Sequence, residues 1–198
     1  PTVSCNRPEL NKIGTVGPPI KGVEVKIADD GEILIKGDNL MKGYLGKEKE
    51  TKEKIKNNWL HTGDIGKLDE DNHLIITDRK KDLIVTSGGD NIAPQKIENM
   101  FSTNYLISQV IIFGDNRPFL IALIFVNNEF IKKKEINNEI DIYVKKINEK
   151  LSAIEKIRKY ILISGELTQK NGFLTPTMKI KRKKVYEKYK KDIEGLYN

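Results

Sequence analysis

The sequence predicts an α+β fold in which a β-rich first part precedes a compact α+β unit of about 115 residues, an ordinary domain size. Three observations predict it. Short alternating strands with tight turns dominate the first part, and strand and helix periodicities interleave in the second. The charge also changes sign: residues 1–78 hold 12 Lys/Arg against 14 Asp/Glu, net −2, whereas residues 79–198 hold 23 against 14, net +9. The change falls at the start of "DRKKDLIVTSGGDNIAPQKIE", Asp78 to Glu98, which combines a charged cluster, an apolar run, two glycines and a helix-opening proline.

The elements follow in order. In "GVEVKIADDGEILIKG", Val23, Val25 and Ile27 alternate with polar residues, Asp30-Gly31 signals a hairpin turn, and Ile33 and Ile35 resume the alternation. "KEKETKEKIKN" reads as a short charged helix before Trp59. Lys67 and Leu68, then "DEDN", then "HLIIT" from His73 read as a second hairpin, and strands this short suggest a small barrel or sandwich. Pro94 suits a first helical position, with Ile97, Met100 and Phe101 at helical spacing after it. "SQVIIFG" and "FLIALIFVN" form a buried hairpin around Asp115–Pro118. Ile140, Val144, Ile147 and Leu151 mark one helix face, "YILIS" from Tyr160 is a strand, and "KKVYEKYKKDIEGLY" is a basic closing helix.

Composition excludes several classes. With 38% hydrophobic and 32% charged residues the chain has material for a core, and no apolar run approaches the roughly 20 residues of a spanning helix. A single cysteine, Cys5, excludes an intrachain disulfide and suits a reducing, cytoplasmic compartment. No signal peptide is visible, and the chain opens on Pro1, as expected of a piece of a longer protein. The basic second half admits an anionic partner or peripheral contact with a membrane surface, although a Lys/Asn/Ile-rich solvated face explains the same excess more simply. There is no GxxxxGK[ST], GxGxxG or GxSxG motif, and His61 and His73 with one cysteine make no convincing zinc site.

Four clusters remain. In "WLHTGDIG", Gly63 permits a tight turn presenting Asp64, whose carboxylate can accept two hydrogen bonds from a ribose diol; alone, an Asx-turn explains it better. In "DRKKD", Arg79 can fork onto ribose or phosphate oxygens, while a surface ion pair with Asp78 or Asp82 is the ordinary alternative. In "SGGDNIAP", Gly88 and Gly89 let a backbone approach a ligand or a moving neighbour, or simply turn a strand into a helix. In "LTPTMKIKRKK", Thr175-Pro176-Thr177 favours a rigid turn that would hold Lys179 at its tip, where it could neutralise developing phosphate charge; the alternative is one more solvent lysine in a basic run.

The order and spacing of "GYLG", "WLHTGDIG", "DRKKDLIVTSGGDNIAPQKIE" and "LTPTMKIKRKK" resemble those of the adenylate-forming synthetases, and most closely the long-chain fatty-acid–CoA ligases. "IGTVGPPIKGVEVKI" and "GEILIKGDNLMKGYL" resemble the same family. The resemblance covers nearly the whole chain but only the C-terminal third of a complete enzyme. It implies a β-rich last subdomain of the large domain over residues 1–80, a hinge near Lys81, and a small mobile α+β domain over 82–198. It also implies two reactions, carboxylate plus ATP to acyl-adenylate and pyrophosphate, then thioester formation with CoA. By that resemblance Asp64 binds the ribose hydroxyls of ATP or AMP, and Arg79 binds ribose or phosphate. Gly88 and Gly89 line the CoA pantetheine channel, and Lys179 approaches the α-phosphate and acyl carboxylate.

Two departures matter. Asp90 stands where some members carry a phosphate-binding arginine, so that contact is not carried over. The phosphate loop, the acidic Mg²⁺ ligand and the acyl pocket are expected upstream of Pro1, which makes this piece inactive by itself. Two alternatives stay open: another adenylate-forming branch such as an acyl–carrier-protein ligase, and a non-enzymatic basic module binding nucleic acid or membrane. Against nucleic acid, residues 179–191 interleave only Tyr186 and Tyr189 as stacking aromatics, and no RNA-binding signature occurs.

Overall fold

A computed structural model describes residues 1–130 and 135–198. It divides into two compact units, Pro1–Leu83 and Ile84–Asn198.

The first unit opens with a 3-10 turn at Pro8–Leu10, followed by β1 (Val23–Ile27) and β2 (Glu32–Gly37). These pair antiparallel with Val25 opposite Ile35, and Gly31, at φ +82°, makes the turn between them. Then come α1 (Glu48–Lys54), β3 (Ile55–Lys56), β4 (Trp59–Leu68) and β5 (Leu74–Arg79). Asn57 and Asn58, at φ 50° and 63°, turn β3 into β4, the backbone a two-residue primed hairpin needs. The charged helix is therefore shorter than its sequence suggests, because Ile55 and Lys56 leave it to pair with Leu60 and Trp59. No residue of α1 is buried, and Glu48 and Glu50 in its first turn with Lys52 and Lys54 in its last complement the helix dipole.

The expected barrel or sandwich is instead one five-stranded sheet. The ten residues of β4 are its spine: β4 pairs with β2 and β3 along its first part and with β5 along its second. One long strand can thus organise four short ones without closing a barrel. Ile33, Ile35 and Leu74 form a small core, joined by Val23, Val25, Ile27 and Leu68. Trp59 opens β4, with the Lys36 ammonium 5.8 Å from its ring centroid.

The unit ends in a 3-10 turn at Lys80–Asp82. The second unit begins with β6 (Ile84–Val85) and β7 (Asn91–Ile92), an antiparallel pair, and α2 (Pro94–Asn99) with proline in its first turn. Then come β8 (Ile107–Phe113), β9 (Leu120–Val126), α3 (Ile136–Asn148), β10 (Ile157–Ser164), α4 (Arg182–Lys188) and α5 (Lys190–Gly195). The sheet order is β10-β9-β8, with β9 antiparallel to β8 and parallel to β10.

All seven residues of β9 are buried. Its even positions, Leu120, Ala122, Ile124 and Val126, pack with Ile97 of α2 and Ile140, Val144 and Ile147 of α3. Its odd positions, Ile121, Leu123 and Phe125, pack with Val185 of α4 and Ile193 of α5. The period of two along a strand makes two cores from one apolar run. Helix α3 stops at Asn148, so buried Leu151 lies beyond it. There the Asn148 side chain bonds both the N–H and the C=O of Ile157 at 2.9 Å and fixes the start of β10.

The single closing helix expected from the sequence is two. The break is at Tyr189, φ −105° and ψ 20°, where the ring packs edge-on against Phe125 at 5.8 Å. A ring anchored on the sheet outweighs the helix propensity of its neighbours. No helix among the described residues is long and apolar enough to cross a membrane.

The packing gives a clear expectation. Ile124→Ala, at a fully buried site, should cost about 2–5 kcal/mol in urea unfolding. Ile142→Ala, at a residue 59% exposed on α3, should stay within about 0.5 kcal/mol. Similar losses at both positions would contradict the burial pattern.

Candidate functional site

Asp64 and Arg79 are direct partners in the β4–β5 register. Arg79 Nε lies 3.0 Å from Asp64 Oδ1, with the side chains 51% and 26% exposed. The carboxylate across the ladder is therefore Arg79's partner here, rather than a neighbour in its own charged cluster. A guanidinium at the end of β5 beside a carboxylate in the middle of β4 offers complementary chemistry. The carboxylate can accept from vicinal hydroxyls, and the guanidinium can donate to phosphate oxygens.

The turn before Asp64 is fixed from several directions. Gly63 takes φ +75°, which favours glycine. Thr62 Oγ1 accepts from the Asp64 N–H at 3.0 Å and donates to the Ile33 carbonyl at 2.8 Å. Gly66, two residues on, passes so close to β5 that a Cβ there would lie 2.2 Å from the Ile75 carbonyl oxygen. The ladder shifts register between Ile65 and Gly66, a bulge that re-aims the strand beside Asp64.

Beside this pair runs a groove of about 860 Å³, lined by His61, Thr62, Gly63, Arg79, Lys80 and Lys81 among others. The sequence reading missed what organises its floor. Glu32, 4% exposed, accepts from His61 Nδ1 at 3.0 Å, from the Gly63 N–H at 2.9 Å and from Lys80 Nζ at 2.9 Å. Lys80 also pairs with Asp30 at 2.6 Å. Burial alone would raise the Glu32 pKa, but hydrogen bonds from His61, Lys80 and Gly63 outweigh it and hold the carboxyl below its ordinary value. The Lys80 hydrogen bond likewise lowers Asp30, and Asp30 and then Glu32 raise Lys80. A glutamate directly after an Asp-Gly turn, heading an apolar strand, was the available signal. Its partners lie 29 to 48 residues away and give none.

Lys81 is exposed in the 3-10 turn that follows Arg79. The remaining candidates belong to the second unit. Gly89 adopts φ +85° in the turn joining β6 to β7, and a Cβ there would meet nothing within 4 Å. The turn is tied by the Gly89 N–H to the Thr86 carbonyl at 2.9 Å and by the Asp90 N–H to Thr86 Oγ1 at 3.2 Å. Asp90 is thus held inside its own turn, and Gly88 sits exposed beside Gly89.

Lys179 lies in a tight turn bridged by Leu174 and Ile180. The Thr175 N–H donates to the Lys179 carbonyl at 2.8 Å, and Thr175 Oγ1 accepts from the Lys179 N–H at 3.0 Å. Met178 before it takes φ 62°, an uncommon conformation for a non-glycine residue. The Lys179 side chain is exposed and has no carboxylate partner among the described residues. Its neighbours are occupied: the Lys184 ammonium lies 5.4 Å from the Phe173 ring centroid, and Arg182 forks onto Glu98 at 2.7 and 3.1 Å. Arg182 also donates to the Ile112 carbonyl at 2.8 Å, while the Ile112 N–H donates to Glu98 at 2.8 Å. This largely buried set anchors α4 and with it the turn that carries Lys179.

Residues 81–198 match the family described as AMP-binding enzyme C-terminal domain. Over 206 residues the chain is 43% identical to a long-chain-fatty-acid–CoA ligase of Mycobacterium tuberculosis, covering 94% of this chain and 34% of that one. It is 33% identical to long-chain-fatty-acid–CoA ligase 6 of Rattus norvegicus over 217 residues, covering 93% and 31%. The chain therefore spans about a third of the length of the curated relatives it matches. Among solved structures, o-succinylbenzoate CoA synthetase from Bacillus subtilis bound to its acyl-adenylate superposes with a TM-score of 0.74 at 26% identity, over 93% of this chain and 38% of that one.

The Glu32 cluster sets a pH dependence. An unfolded chain takes up a proton at Glu32 near 4.5, whereas the folded unit keeps it ionised to lower pH. Its contribution to stability is complete above that value and is lost as pH falls through the lowered one. Protection factors of β2 and β4 amides, corrected for the intrinsic slowing of exchange in acid, should therefore fall on acidification below about pH 4.5. Glu32→Gln should flatten that response, and an unchanged response would contradict the assignment.

Proposed function

Since this chain belongs to the AMP-binding enzyme family, whose C-terminal domain spans residues 81–198, we propose that it is part of an ATP-dependent long-chain fatty-acid–CoA ligase. In the first reaction a fatty-acid carboxylate oxygen attacks the α-phosphorus of ATP and expels pyrophosphate. In the second the CoA thiol attacks the acyl carbon, and AMP leaves with the electron pair of the broken C–O bond. The long-chain subclass follows the relatives.

The observation that supports this reading most is the Asp64–Arg79 pair, set directly opposite one another and open to solvent. Asp64 accepts from the ribose hydroxyls, and Arg79 turns from its ion pair to the ribose or phosphate oxygens. Lys179, exposed on a backbone-fixed turn, brings positive charge to the α-phosphate and acyl carboxylate, where negative charge grows in the transition state. Lys81 is the pivot between residues 1–80 and 82–198, and the second unit swings about it between the two reactions. In the thioester arrangement the Gly88-Gly89 turn lines the pantetheine channel, where the open space at Gly89 leaves room for a thin ligand arm. Among the described residues no cluster of three metal-ligating side chains occurs, so no step is assigned to Mg²⁺ through this chain.

Calorimetric titration of AMP into the full-length ligase tests the first unit's role. Asp64→Asn and Arg79→Met should each weaken binding about tenfold or more, the equivalent of one lost charge-assisted hydrogen bond. Wild-type affinity in both variants would overturn the reading. Within the full-length ligase, Lys179→Ala should lower adenylation by roughly 10²–10³ and leave thioester formation from preformed acyl-adenylate nearly intact. Lys183→Ala and Lys184→Ala should spare both steps. Equal behaviour of all three lysines would return Lys179 to an ordinary solvated face.

A further inference from the structure

Among the described residues no hydrogen bond joins Glu32 to Asp64 or Arg79, yet two of its three donors are their immediate neighbours in the chain. The Gly63 N–H, which it accepts at 2.9 Å on Oε1, belongs to the residue immediately before Asp64. The Lys80 ammonium, at 2.9 Å from Oε2, belongs to the residue immediately after Arg79. His61 Nδ1, at 3.0 Å from the same Oε2, enters the same turn from β4. Because an ionised carboxylate only accepts, Nδ1 is the protonated ring nitrogen in this contact. Glu32 itself is 4% exposed, so losing a partner here strands a buried group rather than returning it to water.

We propose that Glu32 is the positioning residue of the Asp64–Arg79 pair, one buried carboxylate that fixes the backbone immediately before Asp64 within β4 and the residue immediately after Arg79 at the end of β5. The inference rests on reading that pair as the nucleotide site. The two members come from different strands, so their mutual distance depends on more than the ladder, which is already irregular at Ile65/Gly66. Glu32 supplies the missing constraint: one oxygen holds the turn before Asp64, and the other holds the residue after Arg79. Asp30 cannot substitute. It pairs with Lys80 at 2.6 Å, but it is 49% exposed, and its other hydrogen bond among the described residues is accepted from the Glu32 N–H, not from Gly63.

Glu32→Gln keeps the shape and removes this capacity, because an amide offers one acceptor oxygen and an NH₂ that cannot accept. The test is the ¹⁵N–¹H spectrum of the labelled 198-residue chain, with the AMP affinity of the full-length ligase measured alongside. In Glu32→Gln the Gly63, Asp64 and Arg79 amides should shift and broaden, while those of β1 and the second unit stay in place. AMP affinity should fall about tenfold, equivalent to one lost charge-assisted hydrogen bond. Asp30→Asn should leave both the site amides and the affinity as in wild type. Site amides unmoved in Glu32→Gln, or a disturbance spread evenly through β1, would overturn the proposal. Should Glu32→Gln fail to fold, Lys80→Met decides. It should perturb Arg79 and spare Gly63, and an unperturbed Arg79 would refute the link. A full-length ligase whose AMP affinity is unchanged by Asp64→Asn and Arg79→Met would sink the nucleotide reading, and the amide comparison would then judge Glu32 by itself.

Discussion

Strand β9 has no side chain that water would solvate well, and that fact shapes the second unit. Its sequence, Leu-Ile-Ala-Leu-Ile-Phe-Val, is apolar at every position, so both faces of the strand must be covered. One face is covered by α2 and α3 and the other by α4 and α5, which makes a three-layer unit out of a three-stranded sheet. The connection from β10 to α4 crosses to the second face, and Lys179 lies on that connection. The lysine's position follows from the need to bury Ile121, Leu123 and Phe125.

Charge works the opposite way in the two units. In the second, the Glu98–Arg182 fork is satisfied on all sides by its partner and by the backbone of Ile112. Such a pair contributes little net stability, because desolvation offsets attraction, but breaking it leaves a buried charge alone. In the first unit the Asp64–Arg79, Asp30–Lys80 and Glu32–Lys80 pairs sit at the rim of an open groove, and among their members only Glu32 is deeply buried. Exposed partners such as Asp30 add modestly at best. The fork therefore serves to lock a helix, whereas the groove's charges remain free to exchange a protein partner for a ligand.

Much of this was legible in the chain itself, for physical reasons. Alternation around Asp30-Gly31 announced the first hairpin, and the apolar runs on either side of Asp115–Pro118 announced a buried one. The order of short motifs singled out Asp64, Arg79, Gly88, Gly89 and Lys179 as candidates, although composition and spacing alone left each of them ambiguous. What escaped the reading was decided at long range. Tyr189 breaks the last helix because its ring finds Phe125, 64 residues earlier, and Ile55 leaves α1 for a strand partner. Glu32 carried no local sign of the three donors from distant segments that close around it. Local propensity cannot encode contacts of that span.

The placement of Trp59 at the head of β4 has a practical consequence. It is the chain's one tryptophan, and it stands five residues before Asp64. Six of the seven tyrosines, from Tyr105 to Tyr197, lie in the second unit. Excitation at wavelengths that only indole absorbs therefore observes the first unit alone, while tyrosine emission is dominated by the second. Nature has labelled the two units with different chromophores, so each can be followed optically in one cuvette without any dye.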